Sequence, residues 1–491
     1  DIDRNESASA IASLEVDMHR GFVISGEVAE ANSGYSVSSA GDVNGDGLDD
    51  LIVGAPSVIA SRSYVIFGKT NTTAINLSTI ANGTGGFIIK SKSENRRDYS
   101  GYSVSSAGDV NGDGLDDLIV GAIAASNGGE SYVIFGKTDT NVINLGAIVN
   151  GTGGFVINSE SRKDLNGVSV SSAGDVNGDG LNDLIVGAAH ADPTGGKNAG
   201  KSYVIFGKTN TTAINLSTIA NGTGGFVING EKAVDESGFS VSCAGDVNGD
   251  GLSDLIVGTW EAGKSYVIFG KTDTNVINLS VVVNGTGGFV INGEKVSDWS
   301  GFSVSSAGDV NGDGLDDLIA GAYQADPTGG KDAGKSYVIF GKTNTTAINL
   351  STIANGTGGF VINGEKAGDI SGFSVSSAGD VNGDGLDDLI VGAQEADPTG
   401  GKDAGKSYVI FGKTNTTAIN LSTIANGTGG FVINGEKAGD LSGYSVSSAG
   451  DVNGDGLDDL IVGAIAADPS NKNKAGKSYV IFGKTDTNAI E

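Results

Sequence analysis

Nine residues, Asp-Val-Asn-Gly-Asp-Gly-Leu-Asp-Asp at 42–50, return six more times along the chain, and this recurrence limits the available folds more than any other feature. Near-copies start at Asp109, Asp175, Asp246, Asp309, Asp380 and Asp451, at intervals of 67, 66, 71, 63, 71 and 71 residues. A period of this size marks a repeat architecture, in which each unit buries its apolar faces against its neighbours. Four short β-branched or aromatic runs recur with it. In the sixth repeat they are 373–379, 388–393, 407–412 and 430–435, punctuated by Gly and Asn. No segment longer than ten residues has helical periodicity, and 419–424 reads as an irregular or single-turn excursion before the fourth strand.

Four strands in each of seven repeats predict an all-β fold, a closed seven-bladed β-propeller of four-stranded blades. A linear solenoid is the competing geometry, and the ends of the sequence decide against it. The last repeat stops at Ile490-Glu491 before a fourth strand, while 21–26, Gly-Phe-Val-Ile-Ser-Gly, copies that strand. The N-terminal strand therefore completes the seventh blade beside 478–483, and closure removes the exposed sheet edges of an open array. The whole of 1–491 is expected to be one domain. Its closing strand is 21–26, and its blades are 32–95, 99–160, 165–231, 236–294, 299–365, 370–436 and 441–491.

The nonamer has the composition of a cation loop. Carboxylates and a carboxamide supply hard oxygen ligands, and glycines at positions 4 and 6 permit the sharp turn. The candidate ligands in the first copy are Asp42, Asn44, Asp46 and Asp50, with the carbonyl of Leu48. The second copy offers Asp109, Asn111, Asp113, Leu115 and Asp117, and the third Asp175, Asn177, Asp179, Leu181 and Asp183. The fourth and fifth offer Asp246, Asn248, Asp250, Leu252 and Asp254, then Asp309, Asn311, Asp313, Leu315 and Asp317. The last two offer Asp380, Asn382, Asp384, Leu386 and Asp388, then Asp451, Asn453, Asp455, Leu457 and Asp459. A single copy could equally be a polar β-turn. Seven copies with every ligand position intact point to Ca²⁺, about one ion per blade, with Mg²⁺ or Mn²⁺ left open at some loops. An EF-hand is excluded: position 12 is Val53 rather than Glu, within the apolar run that follows the loop.

The formal charge of −29 argues against nucleic acid or an anionic membrane surface as partner. Seven divalent ions would offset about half of it, so stability is expected to depend on the metal. Extracellular calcium modules bind with dissociation constants of about 10⁻⁴–10⁻³ M, which places the expected location outside the cell, secreted or at its surface. The start at Asp1, without Met or a leader, reads as a mature or excised fragment. No apolar run is long enough to span a membrane. Cys243 is the single cysteine and stands where the other repeats have Ser, which reads as an inert buried thiol.

Ser-Gly-Tyr-Ser-Val followed by Gly-Asp-Val-Asn-Gly-Asp-Gly-Leu-Asp-Asp-Leu-Ile-Val-Gly-Ala-Pro, within 33–56, resembles the FG-GAP repeats of the integrin α-subunit N-terminal propeller. The longer repeat, with Ile-Asn-Leu-Ser-Thr-Ile before Gly-Gly-Phe, is more similar to bacterial secreted members. The resemblance implies seven blades and a cation in each loop joining a blade's first two strands, on the lower face. It also implies an upper face that meets ligand. Integrins carry such loops only in their later blades, whereas all seven repeats have one here. The leading Phe of the FG element is Ser in this chain, or Asn166 in the third repeat, and Gly-Ala-Pro is complete only at 54–56.

Enzyme chemistry finds little to work with. His19 and His190 belong to no repeated constellation, and no nucleophile elbow occurs. Gly195 to Ser202 fits the P-loop expression, as do the stretches from Gly329 and Gly400, but each leads into a strand instead of a helix. Asn-Gly-Thr at 82–84 and Asn-Leu-Ser at 76–78 are sequons that also read as ordinary loop polarity.

Because the repeats are nearly identical, differences among them are informative. They concentrate at two positions. One follows the second strand: Pro56, Ile123, Ala189, Trp260, Tyr323, Gln394 and Ile465. The other precedes the next first strand: Asn32, Tyr99, Leu165, Glu236, Trp299, Ile370 and Leu441. Both fall on the face opposite the acidic loops. Trp260, Trp299, Tyr323 and Tyr99, with His190 nearby, are candidates for ligand binding, and plugging the channel mouth or packing between blades is the alternative. The expected function is a monomeric, calcium-binding extracellular recognition or adhesion module that binds a protein or glycan. A calcium-dependent lectin and a scaffold domain of a larger surface protein stand as alternatives.

Overall fold

The computed structural model describes residues 20–57, 61–92 and 97–490. His19 lies outside them. Seven mainly antiparallel sheets are arranged as blades around a central channel. Blade 1 runs outward from the channel as Ser36–Gly41, Asp50–Ala55, Arg62–Ile66 and Gly86–Lys90. Blade 7 consists of Ser442–Gly450, Asp459–Ala464 and Lys477–Ile481, with Gly21–Ser25 as its outer strand. Gly21 pairs with Ile481 and Ser25 with Lys477, so the N-terminal strand closes the ring as the sequence predicts.

Each second strand reads Asp-Leu-Ile-Val-Gly-Ala or nearly so, and in blade 1 all six residues are buried. A strand covered on both faces shows continuous burial, while its side chains alternate between the two neighbours. Leu51 and Val53 join the cluster shared with blade 7, whereas Ile52 joins the cluster shared with blade 2. The hydrophobic core is therefore a set of seams between blades. Gly54 is required at one of these seams, because a Cβ there would lie 2.2 Å from the Gly101 carbonyl oxygen.

The excursion before each fourth strand is more ordered than the sequence suggests. In blade 6 it forms the two-residue strand Ile419–Asn420 and the one-turn helix Leu421–Ala425. That short strand pairs in parallel with Gly359–Asn363 of blade 5, and the same cross-blade addition recurs around the ring. Ile490 makes the equivalent bridge to Ile433 of blade 6.

Blades are also joined by charge. Glu231, just beyond the outer strand of blade 3, accepts from Tyr266 Oη of blade 4 at 2.7 Å and pairs with Lys264 at 3.1 Å. The closing seam has the same clasp, with Glu27 against Tyr64 and Arg62.

Candidate functional site

All seven acidic loops join a first strand to a second strand at one end of the blades. In the first loop, Gly45 (φ 77°) and Gly47 (φ 87°) adopt left-handed conformations that fold the backbone around Asp42. Asp42 Oδ1 accepts the N–H groups of Gly45 (2.7 Å) and Asp46 (3.1 Å), and Oδ2 accepts that of Gly47 (2.9 Å). Asp46 is exposed and accepts the Leu48 N–H at 3.0 Å. Asp50 is fully buried, accepting from Val43 N–H at 3.1 Å, Gly68 N–H at 2.8 Å and Asn44 Nδ2 at 3.2 Å. The other loops repeat this pattern. The third differs in that Asn177 turns to Asp179, accepting its N–H at 2.8 Å and donating to its carboxylate at 3.0 Å.

Burial, reinforced by the charges of Asp46 and Asp42, pushes the Asp50 carboxyl up to about 7. Asp117, Asp183, Asp254, Asp317, Asp388 and Asp459 are raised to about 7 as well, with burial again the largest cause. The partners of the Asp50 carboxylate are neutral N–H donors. Among the described residues, no three acidic, histidine or cysteine side chains converge as the ligands of one ion would. The donor chemistry nevertheless fits a hard divalent cation. Three carboxylates, a carboxamide and the Leu48 carbonyl form an all-oxygen set, and the third loop shows that the carboxamide takes a second orientation.

The residue at position 8, which carries no role in the sequence reading, links the loops to one another. Asp116 N–H donates to the Asp42 carbonyl of the preceding blade at 3.2 Å, while the Asp116 carboxylate accepts the Asp42 N–H at 2.9 Å. The backbone link recurs at every seam, including Asp49 N–H to the Asp451 carbonyl across the closure. Asn182 and Ser253 hold this position in blades 3 and 4 and keep only the backbone link. The loops thus form a hydrogen-bonded ring on the lower face.

On the opposite face, the seven variable positions ahead of the first strands share an unexpected backbone. Asn32, Tyr99, Leu165, Glu236, Trp299, Ile370 and Leu441 all have φ between 48° and 57°. This is a strained region for residues other than Gly, Asn or Asp, and most of all for a β-branched residue. Six of these positions hold other residues, although the rest of the repeat is nearly invariant.

Three of the candidate binding residues come together. The Trp260 and Trp299 rings lie 6.0 Å apart and edge-on, and Trp299 and Tyr323 lie 5.5 Å apart. Trp260 rests on Phe239 at 4.5 Å, and Tyr323 rests on Phe302 at 4.9 Å. Burial, with Glu261 nearby, pushes the Tyr323 hydroxyl up to about 12. Val296, 62% exposed, accepts the Trp299 N–H at its carbonyl at 3.1 Å, while Tyr323 is only 8% exposed. His190 sits apart from this group, with Nε2 3.5 Å from Glu236, and Tyr99 makes no ring contact among the described residues.

A ring at the channel mouth is absent from the sequence reading. Tyr35, Tyr102, Phe239, Phe302, Phe373 and Tyr444 occupy one register within or just ahead of six first strands, and Val168 interrupts the circle. Neighbours stack at 4.9–5.3 Å. Below them, serines line a cavity of about 290 Å³. The recurrent aromatic-Ser-Val-Ser register was the available signal. Beside the mouth, Trp260 begins a four-residue connection, 260–263, whereas blades 3 and 5 use twelve residues at 189–200 and 323–334. The 63-residue interval was the sequence trace of that short connection.

Seven stretches, 33–74, 100–134, 166–205, 238–268, 300–339, 371–410 and 442–481, match the FG-GAP repeat family and together make up more than half of the chain. The chain is similar to integrin alpha pat-2 of Caenorhabditis elegans, 31% identical over 253 residues, which is 48% of this chain and 18% of that protein. It is 29% identical over 260 residues to integrin alpha-8 of Gallus gallus, covering 51% of this chain and 22% of that protein. With integrin alpha-5 of Xenopus laevis the identity is 29% over 242 residues, 48% of this chain and 21% of that protein. The chain spans about a fifth of the length of these relatives.

Proposed function

The chain belongs to the FG-GAP repeat family, and on that premise we propose that it is a calcium-stabilised recognition module that binds an extracellular protein through one aromatic sector of its upper face. The observation that carries this reading is the Trp260–Trp299–Tyr323 group, confined to blades 4 and 5 of an otherwise near-uniform ring. A glycan-binding propeller would repeat its pocket from blade to blade, whereas a single asymmetric patch suits one protein epitope. The similarity to integrin alpha chains supports a role in adhesion and argues against catalysis.

In each blade the cation would be held by the carboxylates and carboxamide at loop positions 1, 3, 5 and 9 and the carbonyl at 7. It would offset the charge of those carboxylates and tie the first two strands together. Through position 8, the same loop would brace its neighbour.

The test is a binding screen of the monomeric chain against immobilised matrix proteins and glycans, in millimolar calcium and in chelator. Binding to a protein that Trp260→Ala abolishes supports the proposal. Calcium-dependent binding to one sugar class, unaffected by Trp260→Ala, would replace it with the lectin reading. A chain that binds neither while melting far lower in chelator would be a scaffold.

A further inference from the structure

The seams between blades contain a set of buried hydroxyl groups that the recognition surface and the acidic loops do not use. At the seam between blades 3 and 4, Ser202 lies on a third strand and Ser237 at the start of the next first strand. Both are fully buried, and neither hydroxyl has a hydrogen-bond partner among the described residues. The same arrangement joins Ser478 to Ser33, Ser63 to Ser100, Ser265 to Ser300 and Ser407 to Ser442. Ser336 is likewise unpartnered at the seam with blade 6, where Ser371, 1% exposed, takes the place of Ser237. A buried hydroxyl left without a partner loses its hydration with nothing in return, so a recurring set of eleven calls for a partner.

The remaining seam shows what that partner must do. Between blades 2 and 3 the first-strand serine is replaced by Asn166, which is fully buried. Its Oδ1 accepts the Ser131 hydroxyl at 3.3 Å, and its Nδ2 donates to the Ile157 carbonyl at 3.2 Å. Ser131 faces Ile157 across the third and fourth strands, and Ser202 faces Ile228 in the same register. The carboxamide thus fills, with two heavy atoms, a position that accepts from a serine and donates to an isoleucine carbonyl. At the other seams the shorter serine side chain stops before this position. A Cβ on Gly238 would stand 2.8 Å from Ser202 Oγ, so no side chain from that neighbour enters.

We propose that each of the six Ser–Ser seams binds one buried water molecule in the position that the Asn166 carboxamide takes at the seventh. The water accepts from the third-strand serine, donates to the isoleucine carbonyl and pairs with the first-strand serine. These three hydrogen bonds are the usual complement of a buried structural water. The ring is therefore bridged by solvent at six seams and by protein at one. Solvent exchange at those six seams requires the blades to part.

A crystal structure of the full chain, at a resolution that shows ordered solvent, tests this directly. The expected result is one peak between the serines of each of the six seams and none beside Asn166. Asn166→Ser is expected to gain a seventh peak, and Ser237→Asn to lose the one it replaces. Dry seams, serine hydroxyls paired directly with each other, or an Asn166→Ser seam without solvent would each overturn the proposal. The wild-type structure is decisive even if a variant fails to fold.

Discussion

Lys92 and Glu130 form the clasp between blades 1 and 2 with their charges exchanged relative to the other seams. Elsewhere the acid follows an outer strand and the base begins the next third strand, as in Glu160–Lys201, Glu294–Lys335 and Glu365–Lys406. Here the lysine follows the outer strand and the glutamate begins the third strand, where it also accepts from Tyr132 and from Ser126 at 2.5 Å. The Glu130 side chain is 5% exposed, so its pairing is only weakly screened by solvent. Its carboxyl is lowered, because the Lys92, Ser126 and Tyr132 hydrogen bonds together outweigh burial, which is the largest single influence and acts upward.

Glu130→Lys is therefore expected to destabilise the fold by roughly 2–3 kcal/mol, because it faces Lys92 with a like charge and deprives Tyr132 of its acceptor. Adding Lys92→Glu rebuilds the clasp in the polarity of the other seams. A double-mutant cycle by denaturant unfolding should return a coupling energy of about 1–3 kcal/mol. Additive losses would mean that the two side chains do not act as a pair.

Asp46 offers the cleanest test of the loops, because it is exposed and its carboxylate's one hydrogen bond among the described residues is to the local Leu48 N–H. In saturating calcium, Asp46→Ala should lose the binding contribution of one site. For calcium at ten to a hundred times the dissociation constant, that is about 1.4–2.7 kcal/mol. In chelator the same substitution should change the melting temperature little, while the wild type should itself melt lower. Equal losses under both conditions would remove Asp46 from the ligand set.

The parts of this fold that were legible in the sequence are those written within one repeat. The second-strand run at 388–393 coincides with Asp388–Ala393, and the copied strand at 21–26 coincides with Gly21–Ser25. A nonamer with two glycines turns where it must, because few other residues accept those dihedrals. What escaped was contact between repeats. The Asp42–Asp116 link spans 74 residues, and position 8 tolerates Asp, Asn or Ser, so no local pattern marks it. The aromatic ring escaped for a related reason. Tyr35 reads as an ordinary strand residue until closure sets it 4.9 Å from Tyr102 and 5.1 Å from Tyr444.

Cys243 substitutes sulfur for oxygen in a conserved turn. Its Sγ accepts the Gly245 N–H at 3.4 Å, where Ser39 Oγ accepts Gly41 N–H at 3.1 Å in blade 1. The residue is half-buried rather than fully buried as the sequence suggests, and desolvation of its sulfur pushes the thiol up to about 11, so only about a thousandth is thiolate at a pH near 8. The native chain should react with a disulfide reagent orders of magnitude more slowly than the unfolded chain. Rapid stoichiometric labelling of the folded protein would show that the turn opens or that the thiol is exposed.

Ile370 and Leu441 precede the first strands of blades 6 and 7, both are half-buried, and both adopt left-handed backbone, at φ 48° and 56°. Branching at Cβ makes that conformation worse for Ile370, whereas Asn adopts it readily. Replacing either residue by Asn removes similar buried apolar surface, so comparing the two substitutions isolates the backbone strain. Ile370→Asn should be more favourable than Leu441→Asn by about 1 kcal/mol in chemical denaturation. A difference of that size would show that branching at Cβ adds to the backbone strain at 370. Equal effects of the two substitutions would place no special strain at Ile370.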